Sequence, residues 1–412
     1  MTASGGDRTV RGRTRRAVIS VLGAGVAVLA AGCSGIGNLG DALSGSSKPQ
    51  QEPDTAPTTG ALPPASGSEP DSKKTKIGVI LPLSASGNAG AAAQSMRNAA
   101  EMALADFNTP DVELIIKDDG GTAQGAQAAV RQAIDEGAKV ILGPLFAHAV
   151  TATAPLARAS RIPIIAFSTD SNVATRGVFL LSFLPESDVE RIVDYAISQG
   201  KRSFVALVPD NAYGSVVEAA FRQLVPAKGG RVIALERYRA DDAGIQAPVR
   251  QIAQAASAAD ALFIPDSGDA VPRVVRALEA AGVSPKRLQV LGTGLWDDPR
   301  VFSDTALDGG WFAAPDAKGY KAFATRYRSK FGQEPVRTAT LAYDAVALIA
   351  ALAKAQPGQP ITSEALMNPS GFSGIDGVFR FRSDGTVQRG LAVHKVMPSG
   401  SEVISGAPKN FG

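Results

Sequence analysis

The sequence has little of what metal centres and catalytic sites are usually built from. Its 412 residues include one cysteine and two histidines, and aromatic residues make up 6% of the chain. Metal sites that depend on histidine and cysteine ligands are therefore almost excluded. The sequence also lacks a G-x-S-x-G elbow, a P-loop and an H-E-x-x-H motif. This removes common signatures of hydrolases, nucleotide-binding enzymes and zinc proteases.

A large excess of charge of either sign is also missing. The formal net charge is +3, but five arginines and Asp7 lie within the first sixteen residues. We expect this segment to be removed, and the same count without it gives about −1. The charge therefore gives no indication of nucleic acid as a partner.

Residues 1–33 have the pattern of a secretory signal peptide. An arginine-rich start precedes the apolar run Ala17–Ala31, which is too short to span a bilayer comfortably. The sequence Leu29-Ala-Ala-Gly-Cys33 resembles a bacterial lipobox, in which the cysteine thiol is acylated. A single cysteine in an exported chain has no disulfide partner within that chain. We therefore predict lipidation of Cys33, with a leftover apolar-segment cysteine as the alternative and the export route left open.

The next segment, residues 34–75, is predicted to be a disordered tether. Ser34–Ser72 is rich in Gly, Ser, Pro and Thr and has no periodic apolar pattern, so it cannot bury enough surface to order itself.

The globular part begins with a predicted β-loop-α-β unit. Ile77–Leu81 is short, apolar and β-branched, which is typical of a buried parallel strand. The segment Ala91–Phe107 has apolar residues at helical spacing, and Val112–Ile116 forms a second strand. Ligands of open α/β sheets lie at the carboxyl ends of strands, here Pro82–Asn88 and Asp118–Thr122.

Strands and helices continue to alternate to about residue 292. Two runs of this alternation predict an α/β fold with two doubly wound, Rossmann-like lobes. Helices are expected at Tyr320–Phe331 and Thr338–Ala355. Val378–Phe381 and Leu391–Val396 are expected to form a hairpin, and His394 within it is expected at the surface.

The predicted strand ends carry hydroxyls, small residues and a few aromatics, which suits noncovalent capture of a polar ligand better than catalysis. Asp118-Asp119 could do acid/base chemistry, but such pairs more often hold loop backbone amides. The alternatives are helix-terminal packing for Tyr213, core packing for Trp296, and capping or packing for His148. The candidate ligand-binding residues, which we expect to meet at one cavity, are Ser84, Ala147, His148, Ser168, Thr169, Asp170, Tyr213, Asp266, Ser267 and Trp296.

Six motifs, taken in order, resemble type I periplasmic binding proteins of the leucine/isoleucine/valine-binding family. They are KIGVILPLSASGNAGAAAQSMRNAAEMAL, KDDGGT, GAKVILGPLFAHAV, RIPIIAFSTDSNVA, VPDNAYG and FSGIDGVFRFRSDG. The resemblance covers about Lys76 to Ile404. It implies two lobes joined by three crossovers, with a hinge between them. The implied domain is 76–405, with lobe 1 at about 76–184 and 313–356, and lobe 2 at about 185–312 and 357–405.

The resemblance also suggests roles for single residues. A serine that meets the ligand carboxylate in amino-acid receptors corresponds to Ala147 or His148. The loop that supplies backbone amides and a threonine hydroxyl corresponds to Ser168-Thr169-Asp170, and the tyrosine before glycine corresponds to Tyr213.

One expected partner of the ligand is missing from its position. The acid that receives the ligand ammonium falls close to Gly294, so this carboxylate is absent unless Asp297 or Asp298 replaces it. An unpaired ammonium in a closed cleft is costly, which weakens the case for a plain aliphatic amino acid.

We therefore predict an exported, lipid-anchored binding protein without catalytic activity, metal or cofactor. Its expected function is that of an amino-acid solute receptor working with an ABC permease. The alternative is a lipoprotein resembling penicillin-binding-protein activators, which bind a peptidoglycan synthase. Ser34 after the cysteine favours the outer membrane, facing the periplasm. A hydrolase rests only on His148 near serine and aspartate, and the sequence leaves the ligand's identity open.

Overall fold

A computed structural model of the chain describes residues 74–107 and 111–411, and the structural statements below concern these residues. The predicted signal peptide, Cys33 and nearly all of the predicted tether lie outside the described residues. Within those ranges, no helix combines the length and the apolar character that crossing a membrane requires.

Strands and helices alternate along most of the described chain. The elements are, in order, β1 (Thr75–Leu81), α1 (Gly87–Phe107), β2 (Val112–Asp118), α2 (Ala123–Asp135), β3 (Val140–Leu142), α3 (Ala147–Ala159), β4 (Ile164–Ala166), β5 (Val178–Leu180), α4 (Pro185–Ser198), β6 (Ser203–Pro209), α5 (Ala212–Ala227), β7 (Arg231–Tyr238), α6 (Asp242–Ala256), β8 (Ala261–Phe263), α7 (Val271–Ala280), β9 (Gln289–Gly292), α8 (Pro299–Phe302), β10 (Trp311–Ala314), α9 (Ala317–Phe331), α10 (Ala339–Ala355), α11 (Ser363–Leu366), β11 (Phe372–Gly374), β12 (Gly377–Phe381), β13 (Val387–Arg389), β14 (Ala392–Met397) and β15 (Gly400–Ser405).

Two larger sheets organise these elements. The first is wholly parallel, in the order β2-β1-β3-β4-β5. The second has the order β15-β14-β10-β9-β8-β6-β7, and its β7-to-β10 part is parallel. Each contains the doubly wound order 2-1-3-4-5, in which strands that follow in sequence diverge to either side of the first strand. The predicted fold class is confirmed.

The helices pack on these sheets through apolar faces and are started by polar caps. Thr122, Asn211 and Asp241 each accept a hydrogen bond from the backbone N–H three residues on, at the starts of α2, α5 and α6. These caps satisfy one of the N–H groups that a helix start leaves without a partner. They also fix where each loop ends and each helix begins.

Four helices end in the same way. The residue after the C-terminal cap of α2, α4, α5 and α7 is a glycine with positive φ, where a side chain would cause strain. These glycines are Gly137, Gly200, Gly229 and Gly282.

The chain passes between the two sheets three times. It leaves the first between β5 and α4, returns between β10 and α9, and leaves again between β13 and β14. Helix α10 packs on α1, and Phe323, Tyr327 and Val346 join the core of the first sheet. The expected helices after residue 313 therefore complete the first lobe.

The C-terminal part differs from the expected arrangement. Phe379 and Phe381, which were expected in the second lobe, lie in the core of the first sheet, where the Phe381 and Phe179 ring centroids are 5.2 Å apart. Because Phe379 and Phe381 of β12 pack in this core, the segment belongs to the first lobe. Only β14 and β15 join the second sheet, so the boundary within residues 357–405 is corrected to follow β13.

The predicted hairpin is also corrected. β12 pairs with β11 and β13 in a separate three-stranded sheet, whereas β14 pairs with β10 and β15. His394 on β14 is buried instead of exposed, because its ring stacks on Phe312 of β10 at 5.1 Å. Alternation alone could not show that both faces of this strand are covered.

Candidate ligand-binding site

A cavity of about 260 Å³ lies beside the segments in which the chain passes between the two large sheets. Its walls come from the start of α4, the start of α5, the loop after β9, the end of β10, and α9 with the turn before α10. Most of the lining is apolar or aromatic, with two carboxylates and one guanidinium among it. The lining residues are Phe183, Pro185, Asp188, Tyr213, Gly294, Leu295, Asp297, Ala314, Pro315, Ala317, Tyr320 and Arg337.

Asp188, in the first turn of α4, carries the half-buried carboxylate of this cavity. Its Oδ2 accepts a hydrogen bond of 3.0 Å from the backbone N–H of Gly294. A Cβ placed on Gly294 would lie 3.2 Å from the same oxygen. The carboxylate of Asp188 therefore occupies the space that a side chain at position 294 would enter.

The pKa of the Asp188 carboxyl group is raised, because few nearby groups stabilise its negative charge. Burial raises the pKa of Asp188 to about 7, although the Gly294 N–H and Arg389 lower it, and Glu186 raises it further. At neutral pH this carboxylate therefore binds a proton readily. A cationic group placed beside it would stabilise its ionised form.

Tyr213 forms another wall, and it is held in place from two sides. It lies in the first turn of α5, which Asn211 caps, and its hydroxyl lies 2.8 Å from Thr293 Oγ1. Burial and the carboxylates of Asp188 and Asp266 raise the pKa of Tyr213. The phenol is therefore a neutral, fixed hydrogen-bonding group.

A stack of rings and guanidinium groups closes the opposite wall. The Arg337 guanidinium lies 4.4 Å from the ring centroid of Tyr320 and 4.9 Å from that of Phe183. Arg389, behind the wall, lies 4.7 Å from the same Phe183 ring and donates from Nε to the Ser182 carbonyl at 2.8 Å. Such cation–π contacts hold the rings in fixed positions.

The candidates of the first lobe lie at the predicted strand ends but do not line this cavity. Their polar groups bond to neighbouring loops. The Ser84 N–H donates to Asp118 Oδ1 at 3.2 Å, and His148 Nε2 lies 3.0 Å from the Gly121 carbonyl, with its ring stacked on Phe146. Ala147 is half-buried and Thr169 exposed, Ser168 Oγ accepts from the Asp170 N–H, and Asp170 accepts from the Asn172 N–H.

The interpretation of the Asp118-Asp119 pair as a loop anchor is confirmed. Asp118 accepts from the N–H groups of Ser84 and Gly120, and Asp119 accepts from the Gly121 N–H at 2.7 Å. These carboxylates hold the two loops that follow β1 and β2.

Of the four second-lobe candidates, Tyr213 lines the cavity. Asp266 accepts hydrogen bonds from the Tyr238 hydroxyl at 2.5 Å and from the Ser267 N–H at 2.7 Å. Trp296 is fully buried and donates from Nε1 to the Ile264 carbonyl at 2.9 Å, so its core-packing alternative is the arrangement observed. Of Ser84, Thr169, Tyr213 and Ser267, only Tyr213 contributes to this cavity.

A glycine beside Trp296 is needed for this packing. A Cβ on Gly292 would overlap the indole ring, so Gly292→Ala is expected to lower the free energy of unfolding by about 1–3 kcal/mol. Urea denaturation measures the loss. Gly406→Ala is the control, because no atom lies within 4 Å of its added Cβ, and a change within about 0.5 kcal/mol is expected there. Equal stabilities for the two variants would contradict the packing argument.

Several lining residues were not among the sequence candidates. Asp188 stands in a Pro-Glu-Ser-Asp start of a helix, which is a visible signal for a helix N-terminus but not for a ligand. Phe183, Tyr320 and Arg337 come from segments far apart in sequence. Within the described ranges, no group of three or more His, Cys, Asp or Glu side chains is arranged to hold a metal ion.

The family is settled by comparison with known proteins. The family model "Periplasmic binding protein" matches residues 74–401. The chain belongs to the periplasmic binding protein family. The predicted resemblance is thereby confirmed, and the location typical of the family is outside the cytoplasm.

Solved structures share the fold of this periplasmic binding protein. A Rhodospirillum rubrum protein, described as a branched-chain amino acid ABC transporter, is 20% identical with a TM-score of 0.70, over 80% of this chain and 100% of that one. The substrate-binding protein LivJ of Streptococcus pneumoniae, in complex with isoleucine, is 20% identical with a TM-score of 0.53, over 81% and 100%. An ABC-transporter solute-binding protein of Rhodopseudomonas palustris, in complex with 3,4-dihydroxybenzoic acid, is 21% identical with a TM-score of 0.58, over 82% and 98%.

One curated relative matches a shorter part of the chain. The uncharacterized protein RP748 of Rickettsia prowazekii is 26% identical over 134 residues, which are 32% of this chain and 36% of that protein. This chain therefore spans about a third of that relative's length.

Proposed function

We propose that this periplasmic binding protein is the solute receptor of an ABC importer and captures a small ligand with an ammonium group and an apolar body, as in an amino acid. The observation that carries the proposal is the half-buried carboxylate of Asp188 in the cavity wall, bonded to the Gly294 N–H. The same arrangement calls for no catalytic step.

Asp188 resolves the difficulty raised by the sequence. The family resemblance places the ammonium-binding acid near position 294, where this chain has glycine. The missing carboxylate is supplied from α4, with Asp188 Oδ2 at the place that a residue-294 side chain would approach. An ammonium beside it would gain a charge-assisted hydrogen bond and return the carboxylate to its ionised form.

The rest of the cavity suits an apolar or aromatic body. Phe183, Tyr213 and Tyr320 supply ring surface, while Leu295 and Pro315 supply aliphatic surface. The structural neighbours named above were solved with isoleucine or 3,4-dihydroxybenzoic acid, and another Rhodopseudomonas palustris solute-binding protein was solved with benzoate. For this chain, Asp188 favours the class that carries an ammonium.

Isothermal titration calorimetry with a matched panel tests this choice. We expect heat with isoleucine or phenylalanine, and none with benzoate or 3,4-dihydroxybenzoate, because an anionic ligand without an ammonium would face Asp188 unpaired. Benzoate binding as tightly as phenylalanine would overturn the assignment of the ammonium to Asp188.

The same titration separates the receptor from the alternative predicted from the sequence. An activator of a peptidoglycan synthase needs no small ligand. The absence of heat with every panel member, together with capture of a peptidoglycan synthase, would replace the receptor proposal. The lipid anchor at Cys33 and the outer-membrane placement stay predictions in either case.

A further inference from the structure

A second cavity, of about 530 Å³, lies at the amino-terminal ends of β4 and β5 in the first sheet. Ile162 and Pro163 lead into β4, and Gly177 leads into β5. Because the receptor site is built near the chain crossings, this cavity belongs to a different part of the lobe. Nothing in the proposed receptor function uses it.

Three arginines make the lining of this cavity positively charged. Arg158, Arg161 and Arg176 line it, and all three are exposed. In the part of the chain that the structure describes, none of the three forms an ion pair or a side-chain hydrogen bond. The single acidic residue of the lining is Glu364, whose pKa is lowered chiefly by its own backbone N–H and by Thr362, with a smaller contribution from Arg176. The cavity therefore carries an excess of positive charge.

Arg161 holds a position at which this chain otherwise uses glycine. It follows the C-terminal cap of α3 with φ of 57°, and it is the only non-glycine residue of the described ranges with positive φ. Its N–H bonds to the Arg158 carbonyl and the next N–H to the Ala157 carbonyl. The four helices ending at Gly137, Gly200, Gly229 and Gly282 close with the same pair of bonds. A left-handed arginine costs conformational energy that glycine would avoid.

We propose that this cavity is a binding site for a phosphate-bearing anion. Guanidinium groups match phosphate oxygens through paired N–H donors, and three of them around one cavity suit more than one anionic group. The aliphatic part of the lining includes Ile162, Val178 and Ile361, and the only carboxylate in the lining is that of Glu364, so the protein compensates these charges poorly. The phosphate comes either from a lipid headgroup or from a free diphosphate, and the two sources share the same contacts.

The test uses two probes on the full chain. Inorganic pyrophosphate is titrated by calorimetry at low salt, and vesicles of phosphatidylglycerol and phosphatidylcholine in equal parts are compared with pure phosphatidylcholine by co-sedimentation. We expect at least one of the two phosphate probes to bind. Pyrophosphate binding identifies a free phosphate as sufficient, and binding to the anionic vesicles alone identifies the headgroup.

Arg161→Gly is the decisive variant, because it acts in opposite directions on binding and stability. It is expected to weaken binding of the phosphate probe about 10-fold, by loss of one charge-assisted contact, while the thermal unfolding midpoint rises because glycine accepts this backbone conformation. Arg158→Gln with Arg176→Gln provides a second loss of binding that leaves the backbone turn unchanged. Arg131→Gln, on the exposed face of α2 and outside the cavity, is the charge-matched control and should bind like the parent chain.

Two results would overturn the proposal. One is a parent protein that binds neither pyrophosphate nor anionic vesicles. The other is binding by Arg161→Gly or by the Arg158/Arg176 double variant that equals the parent's or falls no further than that of Arg131→Gln. The amino-acid titration of the receptor site is independent of both outcomes.

Discussion

Replacing Asp188 with asparagine is expected to weaken the binding of an amino-acid ligand about 10- to 100-fold. The change removes the charge of the one carboxylate that bonds the Gly294 N–H in the cavity wall, and a hydrogen bond to a charged group is worth about 1.5–3 kcal/mol. Calorimetry with the ligand that gives heat in the panel measures the loss. Asparagine keeps the size of the side chain and an oxygen for the Gly294 N–H.

The same residue makes binding depend on pH. Burial raises the pKa of Asp188 to about 7, so the free site loses its negative charge as the pH falls through that value. An ammonium ligand binds the ionised form, and its affinity is therefore expected to fall about 30-fold between about pH 8 and about pH 5.5. Asp188→Asn should bind weakly at both pH values.

Asp297→Asn serves as the matched control for this charge. Asp297 lines the same cavity but is exposed, so its removal is expected to change affinity by less than about 3-fold. The stability of the Asp188 variant gives a second check. Because folding raises the pKa of Asp188 from 3.8 to about 7, this carboxyl group lowers stability progressively as the pH rises through that range and by its full amount above it, so Asp188→Asn should be the more stable protein at about pH 8. Equal losses of affinity from the two substitutions would contradict the role given to Asp188.

The largest effect on stability is expected from Asp376→Ala. Asp376 is 1% exposed, accepts from Thr340 Oγ1 at 2.6 Å, and pairs with Arg337 at 2.5 Å. Its charge also compensates Arg389, which is buried and whose Nη1 and Nη2 lack hydrogen-bond partners among the described residues. Arg337 is 39% exposed, so the main cost falls on the buried Arg389 guanidinium, which keeps Asp344 and Asp188 nearby but loses the carboxylate of Asp376. Removing a charged partner from a buried cluster of this kind costs about 3–5 kcal/mol.

An exposed ion pair provides the comparison for that measurement. Arg328 and Glu334 are 2.8 Å apart, with side chains 52% and 64% exposed, and Glu334→Ala should cost less than about 1 kcal/mol. Urea denaturation at neutral pH measures both variants. If Asp376→Ala lowered the free energy of unfolding no more than Glu334→Ala, the interactions of Asp376 with Arg337 and Arg389 would not stabilise the fold as argued.

The layered architecture could be predicted from the sequence because its signals are local. Ile77–Leu81 is a buried apolar run, and the helix after it has one apolar face, so each strand and helix is visible within its own segment. Alternation then indicates a parallel sheet without knowledge of any distant contact. The same local signals place Tyr213 at the start of α5, where it does line the cavity.

The parts that could not be predicted depend on contacts between distant segments. Asp188 and Gly294 meet across 106 positions of the chain, and no spacing rule connects them. The prediction that β12 belongs to the second lobe was wrong for the same reason. An alternating strand is compatible with either lobe, and only contacts with distant residues show which core its aromatic side chains join. His394 shows the reverse error, because a strand covered on both faces can carry the same alternation as a half-exposed one.

The cavity wall is made largely from the segments by which the chain passes between the two sheets. Phe183 and Pro185 belong to the first passage, Ala314 to Tyr320 span the second, and Arg389, which supports Phe183, ends the strand before the third. A bound solute would therefore contact two of these linkers directly and the third through Phe183. Amide hydrogen exchange around residues 182–185, 314–317 and 389–392 should slow together when the site fills, which makes these three linkers a direct readout of occupancy.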